Sequence, residues 1–279
     1  MKDLLREIRS RTGLSQKAFG DRLNVSFATV NRWENGHSLP LPAVQQQIVN
    51  LCEDLSLPLA DIVIDHHRSS YPTILYHGSK GGIDGDIKPI SRSRCDFGRG
   101  FYLGSDPRQP LMLVAGNESA RYYRMTMDTH SLHSVIFKPD IDWIMAVAFN
   151  RNRLCGYEDT EIYRKYSRCL LGADLAIGPI ADDRLFYTLD EFFHNRITDA
   201  AAVACISTMN YGTQTVCLTE KACSQVKIQD CCTLSTLEHS VLSNEGDRFR
   251  EEGRKRAEEI IKQHRRDGLY FDEILEGEQ

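Results

Sequence analysis

Three short segments in the middle of the chain carry residues that could bind and orient a ligand. The first is an apolar run, ILYHGS, that ends in His77 and Gly78. The second, DFGRGFYL, is a glycine-broken turn that leads into a run with Tyr102, and the third, TQTVCL, begins near Gln214. An imidazole can donate or accept a hydrogen bond, a glycine allows close backbone approach, and a tyrosine can stack on a flat ring. Together these residue types favour a site for a planar, polar ligand.

Each segment also has a purely structural interpretation. A single histidine at a strand end is more often a hydrogen-bonded structural residue than a ligand. Gly98 and Gly100 could mark a bulge or a tight bend, and Gln214 could be an ordinary surface residue. The argument for a site therefore rests on the order and spacing of the three segments together.

That order resembles the ADP-ribosyltransferase superfamily, in the branch of diphtheria toxin and poly-ADP-ribose polymerase. More narrowly, residues 73–228 resemble the bacterial DUF3990 family, whose members often lie beside small partner proteins in toxin–antitoxin-like arrangements. The segments that carry the resemblance are DFGRGFYL and ADLAIGPIADDR. It implies a split β-sheet cleft for NAD rather than a glycine-rich dinucleotide motif.

The resemblance also implies a role for particular residues toward NAD as co-substrate. His77 would bind the adenosine-side ribose, and the backbone of Gly78 would bind the nicotinamide carboxamide. Ser79 would contact the nicotinamide or its ribose, Tyr102 would stack on the nicotinamide, and Arg99 would reach the pyrophosphate. No metal is implied.

Gln214 departs from the best-known pattern, in which many family members have glutamate. A glutamine can hydrogen-bond a ribose hydroxyl, but it brings no charge to an oxocarbenium-like transition state and cannot act as a general base. Glu220, at the other end of the run, is the alternative for this position. Asp182, Asp183 and Glu220 are the candidates for an additional acid.

We expect His77, Tyr102 and Gln214 to act as the catalytic group and to line one cleft, and the family assignment fails if they lie on different faces. The function expected is mono-ADP-ribosyl transfer from NAD to a macromolecule, with nucleic acid, DNA in particular, favoured over protein. A toxin role with a small antitoxin protein as partner fits this interpretation. Two alternatives stay open: a transcriptional regulator that senses NAD or ADP-ribose without turnover, and a module whose cleft is vestigial and whose charged C-terminal helix recruits a partner.

The first 57 residues predict a small helical DNA-binding domain. Leu4, Leu5 and Ile8 form an apolar stripe, and Thr12-Gly13 ends that helix. Ser15 and Ser26 are natural N-caps for two further helices, the second over Phe27–Glu34. Two short helices joined by a tight turn are typical of a helix-turn-helix.

This region resembles the Cro/C1 repressor-like family through TGLSQ, VS, TV and RWENG. The resemblance implies a phosphate contact for Gln16 and base contacts for the exposed face of the third helix: Phe27, Ala28, Asn31 and Arg32. Further phosphate contacts could come from Arg6, Arg9, Arg11, Lys17 and Arg22. Monomer and homodimer both stay open, although repressor-type domains usually pair. A domain kept only for dimerisation or partner docking is the structural alternative.

The whole chain indicates a cytosolic protein of class α+β. It has 279 residues and a net charge of -5, so DNA contact requires a local basic face. No apolar stretch could span a bilayer, the N-terminus is too charged for a signal peptide, and nine cysteines without CxxC favour reduced thiols. The expected regions are a helix-turn-helix domain over 1–66, a split-sheet catalytic domain over 72–230, and a C-terminal helical segment over 231–279 with a charged helix at Glu245–Arg266. Three tyrosines at 157, 163 and 166 could stack bases, but packing on the core is the favoured interpretation.

Overall fold

The computed structural model describes residues 1–180, 183–209 and 212–277, apart from the side chains at 183 and 184. Five helices come first: α1 Lys2–Thr12, α2 Gln16–Arg22, α3 Phe27–Glu34, α4 Pro42–Asp54 and α5 Leu59–His67. The Ser15 and Ser26 side chains accept hydrogen bonds from the backbone N–H of Ala18 and Thr29, as N-caps do. The helix-turn-helix prediction is confirmed.

The tight turn between α2 and α3 depends on Gly20. A Cβ at this position would lie 2.7 Å from the backbone oxygen of Val25 and 3.3 Å from Cγ2 of Val30. Glycine therefore lets α2 pass close to the turn that leads into α3. The apolar side chains beneath it, Phe19 and Val30, are almost fully buried.

The rest of the chain builds one seven-stranded sheet with helices around it, which confirms the α+β class. The strands are β1 Leu75–Ser79, β2 Phe101–Gly104, β3 Arg121–Met127, β4 Ser134–Ile136, β5 Leu175–Pro179, β6 Thr213–Cys217 and β7 Val226–Cys232. Their order is β4-β5-β6-β2-β1-β3-β7, and only the β4–β5 pair is parallel. The helices are α6 Arg108–Ala115, α7 Ile141–Asn150, α8 Glu161–Ser167, α9 Asp183–Phe193, α10 Asp199–Thr208, α11 Glu220–Cys223, α12 Thr236–Gln263 and α13 Phe271–Glu276.

The sheet is weakly joined between β1 and β2. Strand β1 pairs with β3 along all five of its residues, but with β2 only at Tyr76 opposite Gly104. Strand β2, in turn, pairs with β6 along all four of its residues. The split lies between the strand that carries His77 and the strand that carries Tyr102.

The helix-turn-helix region shares a hydrophobic core with the sheet region. Side chains of α4 and α5, such as Ile48 and Ile64, belong to the same buried cluster as Leu111 of α6, Tyr122 of β3 and Leu237 of α12. Ion pairs cross the same boundary, between Arg108 and Asp61 at 3.1 Å and between Arg68 and Asp106 at 2.8 Å. The helices that follow the recognition helix therefore bury apolar area against the sheet region.

Helix α12 is longer than the charge pattern predicted. It begins at Thr236 because Ser235 and Glu238 form a capping box, and because its first turns bury Leu237 and Leu242 against α4 and α6. Its last turns bury Ala257 and Ile260 in a second core with α9 and α10. One helix of 28 residues thus contacts both the DNA-binding region and helices α9 and α10.

The three tyrosines behind the core pack as expected. Tyr166 is buried and donates a hydrogen bond of 2.6 Å to Asp142, and Tyr163 makes an edge contact with Phe149. Tyr157 packs against the same cluster. All nine cysteines are free thiols. In the residues that the structure describes, no helix is long and apolar enough to cross a membrane.

The buried contact between Glu238 and His67 holds α12 on α5. Oε1 of Glu238 lies 2.8 Å from Nε2 of His67, and Oε2 accepts from the N–H and hydroxyl of Ser235 at 2.6 Å. Burial acts to raise the pKa of Glu238, but these contacts outweigh it and lower the pKa from 4.5 to about 2. The carboxylate therefore contributes stability above pH 4.5 that is lost as the pH falls toward about 2.

Replacing Glu238 with glutamine is expected to lower the free energy of unfolding at pH 7 by on the order of 3 kcal/mol. The deficit relative to the unmodified chain should shrink as the pH drops below 4.5, because the native carboxylate is then losing its advantage. Urea unfolding at pH 7, 5 and 4 measures both trends. Glu252→Gln is the control, since this exposed carboxylate on the same helix forms only a surface pair with Arg248. An equal effect of the two substitutions would contradict the assignment.

Candidate functional site

His77 lies where β1 and β2 separate. Its Nδ1–H donates a 2.7 Å hydrogen bond to the backbone oxygen of Tyr102. Burial lowers the pKa of His77, and this backbone contact acts in the opposite direction more weakly. The ring is therefore neutral at pH 7, and its Nε2 is an acceptor. The imidazole takes the place of a backbone donor on β1, so it bridges the two strands across the split.

Tyr102 and Gln214 face one side of the sheet, and His77 faces the other. Register partners across antiparallel strands share a face, so Gln214 lies on the face of Gly104 and Tyr76, and Tyr102 shares it by alternation. The His77 ring instead stacks on Phe101, with ring centroids 4.3 Å apart. The expectation that three side chains line one cleft is corrected, because adjacent positions in β1 alternate in direction.

Tyr102 is held by the glycine-broken turn before it. Its hydroxyl donates to the oxygen of Gly98 at 2.8 Å and accepts from the N–H of Phe97 at 3.1 Å. Burial raises the pKa of Tyr102 far above its ordinary value, so the hydroxyl is not a proton-transfer group near neutral pH. Gly98 has φ 73°, which is why a glycine stands at this bend. The bend therefore fixes the orientation of the tyrosine ring.

Gln214 is buried and its amide is fully oriented. Nε2 donates to Oδ2 of Asp96 and to the backbone oxygen of Pro179, both at 2.8 Å. Both amide hydrogens are used, and within 1–180, 183–209 and 212–277 no donor reaches Oε1 of Gln214. The interpretation of Gln214 as a surface residue is excluded by its 7% exposure. Its Oε1 is an acceptor held in one position.

Asp96 is a functional candidate that sequence reasoning missed. It is 6% exposed, and its Oδ1 accepts from Nη2 of Arg151 at 2.5 Å while its Oδ2 accepts from Gln214. A buried carboxylate thus lies beside Gln214. The signal was present as the first letter of DFGRGFYL, but nothing in the sequence pairs position 96 with position 214.

Gly78 is explained by packing rather than by a ligand. A Cβ at Gly78 would lie 2.6 Å from the backbone oxygen of Pro110 and 3.0 Å from Cγ1 of Val114. Helix α6 therefore packs directly against β1 at Gly78, where a side chain would collide with it. Strand β2 does not pair with Gly78, so this residue lies along the split between β1 and β2.

Gly78→Ala is expected to destabilise the fold by about 1–3 kcal/mol, because a rigid backbone oxygen cannot yield to the added methyl group. Gly81→Ala is the matched control: no atom lies within 4 Å of a Cβ there, and its effect should be within about 0.5 kcal/mol. Chemical denaturation of both variants measures the difference. Wild-type stability of the Gly78 variant would show that α6 is not tightly seated on β1.

The remaining predicted ligand contacts are less convergent. Ser79 donates its hydroxyl to the oxygen of Gly82 at 2.8 Å, and Arg99 is exposed. Glu220 is exposed in the first turn of α11, outside β6, so the structure gives Gln214 rather than Glu220 the place beside Asp96. Asp182 and the Asp183 side chain lie outside the described residues. In the described part of the chain, no three acidic, histidine or cysteine side chains group as a metal site would need.

The recognition helix α3 presents an exposed face. Phe27, Ala28 and Arg32 are exposed, as a base-reading surface requires. Asn31 is half-buried and donates weakly, at 3.4 Å, to Oε1 of Gln16. Helix α3 contacts α1 and α2 and no element of the sheet to a comparable extent, so its outer face stays accessible.

A buried ion pair orients the DNA-binding helices. Glu34 is 3% exposed and accepts from Nε of Arg9 at 2.5 Å and from Nε2 of Gln16 at 2.7 Å. Burial acts to raise the pKa of Glu34, but the hydrogen bonds from Arg9 and Gln16 lower it overall. Arg9 was expected to contact phosphate, and this is corrected, since its guanidinium is committed to Glu34 and to the oxygen of Leu14.

Comparison with known families gives two matches. Residues 73–228 match a family described as protein of unknown function (DUF3990), which covers more than half of the chain, and residues 3–53 match a helix-turn-helix domain. No curated protein matches the chain. No solved structure matches it either. The helix-turn-helix match supports DNA binding through α3.

Proposed function

Since this chain belongs to the DUF3990 family, whose function is unknown, we propose from its own residues that it is a mono-ADP-ribosyltransferase that consumes NAD. Its helix-turn-helix domain would place this activity on DNA or control the synthesis of the chain itself. The observation that carries the proposal is the fixed amide of Gln214, whose Oε1 is free to accept from a ribose hydroxyl on the face of Tyr102. A cytosolic location, a toxin role, a small antitoxin partner and a homodimer belong to the same proposal.

The transfer needs one bond to break and one to form. The bond between the nicotinamide nitrogen and C1′ of the ribose breaks, and neutral nicotinamide leaves with the bonding pair. The acceptor nitrogen or oxygen bonds to C1′ and releases its proton to solvent. Positive charge develops on the ribose in between, and charges or dipoles already aimed at it lower the barrier.

Asp96 supplies negative charge near the ribose indirectly, through the side chain of Gln214. Its carboxylate polarises the Gln214 amide through the 2.8 Å hydrogen bond, which makes Oε1 a stronger acceptor. Tyr102 offers a ring held by its hydroxyl, suited to stack on nicotinamide. In this proposal Gln214 touches the substrate, and Asp96 is a positioning residue.

His77 reaches NAD only if the ligand lies across the split. A ligand confined to the face of Tyr102 and Gln214 would not meet the His77 ring, whereas one that spans the β1–β2 gap would meet both faces. The neutral Nε2 of His77 would then accept from the second ribose.

The test follows both products from NAD labelled in the adenylate half. The full chain is incubated with duplex DNA, single-stranded DNA, RNA or cell lysate, and free nicotinamide and macromolecule-bound label are measured. Label transfer that is lost in His77→Ala and Tyr102→Ala supports the proposal. Growth arrest on expression, relieved by the same substitutions, supports the toxin role. Nicotinamide release without transfer means a glycohydrolase, and NAD binding without bond cleavage under any acceptor would falsify the proposal.

A regulator that binds NAD or ADP-ribose without turnover is the second candidate. The observation in its favour is that Asp96, the carboxylate beside Gln214 among the described residues, is already engaged by Arg151 and Gln214. Calorimetric binding of NAD, together with a change in DNA affinity and no nicotinamide release, would distinguish it.

A further inference from the structure

A cavity opens between the turn before β2, the end of α7 and one face of α9, and its lining includes Arg151, which donates to Asp96 of the Gln214 network. It has a volume of about 420 Å³. Its lining combines cationic and aromatic side chains with one acid: Arg94, Arg151, Arg153, Phe186, Asp190 and Phe193. No residue predicted from the sequence to bind NAD or DNA lies in it.

The cavity has an excess of positive charge. Arg153 is paired with Asp190 at 2.9 Å, and Arg151 is paired with Asp96 behind the wall. Arg94 is exposed and forms no ion pair with any residue in 1–180, 183–209 or 212–277. The Arg94 guanidinium is therefore available to an anion, and the partly exposed Arg153 side chain lines the same cavity.

The cavity also offers an aromatic surface. Phe186 is 44% exposed, so its ring is accessible from the cavity that it lines. The Arg151 guanidinium lies over its ring, 4.5 Å from the centroid. Flat rings stack on such arginine–aromatic pairs, and phosphates bind the neighbouring guanidinium groups.

The cavity is connected to the proposed reaction centre through one carboxylate. Arg151 lines the cavity and donates to Asp96, and Asp96 accepts from Gln214. A group seated on Phe186 is therefore separated from Gln214 by these two side chains. The cavity therefore lies on the Arg151 side of this network, and Gln214 lies on the other side.

We propose that this cavity binds the acceptor, and that the acceptor is a single-stranded nucleic acid segment, with a base on Phe186 and a phosphate on Arg94. The acceptor role rests on the proposed transferase function, whereas the binding site does not. Nucleic acid is favoured over an acidic peptide because the lining provides an exposed ring as well as cations. A base can use both, and a carboxylate or phosphorylated side chain uses only the second.

The test uses the full chain and a labelled 12-nucleotide single strand of mixed sequence, with excess unlabelled duplex to occupy the helix-turn-helix. Phe186→Leu keeps the apolar volume and removes the ring, and it is expected to weaken binding about tenfold. Arg94→Gln is expected to weaken binding severalfold and to reduce the salt dependence by about one phosphate contact. Arg168→Gln, an exposed arginine at the end of α8, is the matched control and should bind as the unmodified chain does.

Photo-crosslinking of a bromouracil-substituted strand locates the site independently of any substitution. Crosslinks within α9 support the proposal, and crosslinks confined to α3 overturn it. Unchanged affinity of Phe186→Leu and Arg94→Gln, or a phosphoserine peptide that binds equally well to the unmodified chain and Phe186→Leu, also overturns it.

Nicotinamide release from NAD, measured in the same samples, separates the two proposals. If NAD is cleaved while both cavity variants bind the strand normally, the acceptor site is wrong and the transferase proposal stands. If NAD is never cleaved while Phe186→Leu still loses binding, the cavity is a nucleic acid site and its acceptor role is wrong. If Phe186→Leu loses strand binding and transfer to the strand while NAD is still cleaved, the transferase proposal and the acceptor-site proposal are both supported.

Discussion

Gln214→Glu is expected to slow nicotinamide release, although glutamate is common at this position in the ADP-ribosyltransferase superfamily that the sequence resembles. Asp96 and the backbone oxygen of Pro179 both lie 2.8 Å from Nε2 of Gln214, and both are acceptors. A carboxylate at 214 has no hydrogen to donate to either. It would meet a second carboxylate in a buried site, where like charges are strongly disfavoured. Glutamine is therefore the residue that matches Asp96.

Gln214→Ala is expected to reduce the rate by about 100- to 1,000-fold, the usual effect of removing one group that stabilises a transition state electrostatically. The rate of the Gln214→Glu variant should fall by a similar factor, and its KM for NAD should change less than its kcat. Single-turnover release of nicotinamide measures both variants, and circular dichroism checks that they fold.

A double variant gives the sharpest control for this prediction. Asp96→Asn combined with Gln214→Glu moves the carboxylate by one position and restores a donor between the two side chains. It should recover at least part of the activity lost in Gln214→Glu, a coupling that a double-mutant cycle isolates. A Gln214→Glu variant that is faster than the unmodified chain would show that Asp96 does not set the identity of this residue.

Arg32→Ala is expected to weaken binding to the chain's own DNA site by about 5- to 150-fold, since a bidentate contact between arginine and guanine contributes about 1–3 kcal/mol. Arg32 is exposed on α3, whereas Gln16 and Asn31 are engaged within the domain. The loss should fall on one base position and leave non-specific binding nearly unchanged. Selection of binding sequences followed by fluorescence anisotropy at fixed salt measures this.

Arg168→Ala serves as the charge-matched control, because Arg168 is exposed and lies on the sheet side of the molecule. An Arg32→Ala loss that is uniform across all DNA sequences would indicate a phosphate contact instead of base readout. Equal losses in both variants would point to net charge alone.

Local sequence signals predicted the elements well. Ser15 and Ser26 cap α2 and α3 because their side-chain oxygens accept from backbone N–H groups in the first turn of each helix. The run that ends in His77 and Gly78 forms β1, and the run with Tyr102 forms β2. These predictions depend on spacing within a few residues, which the sequence displays directly.

Contacts between distant segments could not be predicted from the sequence. The direction of His77 depends on the register of β1 against β2, and no short motif encodes a register. The partnership of Asp96 with Gln214 joins positions separated by 118 residues. The docking of α4 and α5 on the sheet arises from apolar side chains that also suit an independent domain, so their burial pattern alone does not reveal the second partner.

Helix α12 makes the distance between the two halves of this molecule a constant. Its 28 residues span about 42 Å, with one end against α4 and the other against α9, which carries Phe186. A flexible linker would allow many distances between the DNA-binding region and α9. A helix packed against both allows one distance. A nucleic acid held at Phe186 would therefore lie at one fixed separation from the DNA site read by α3.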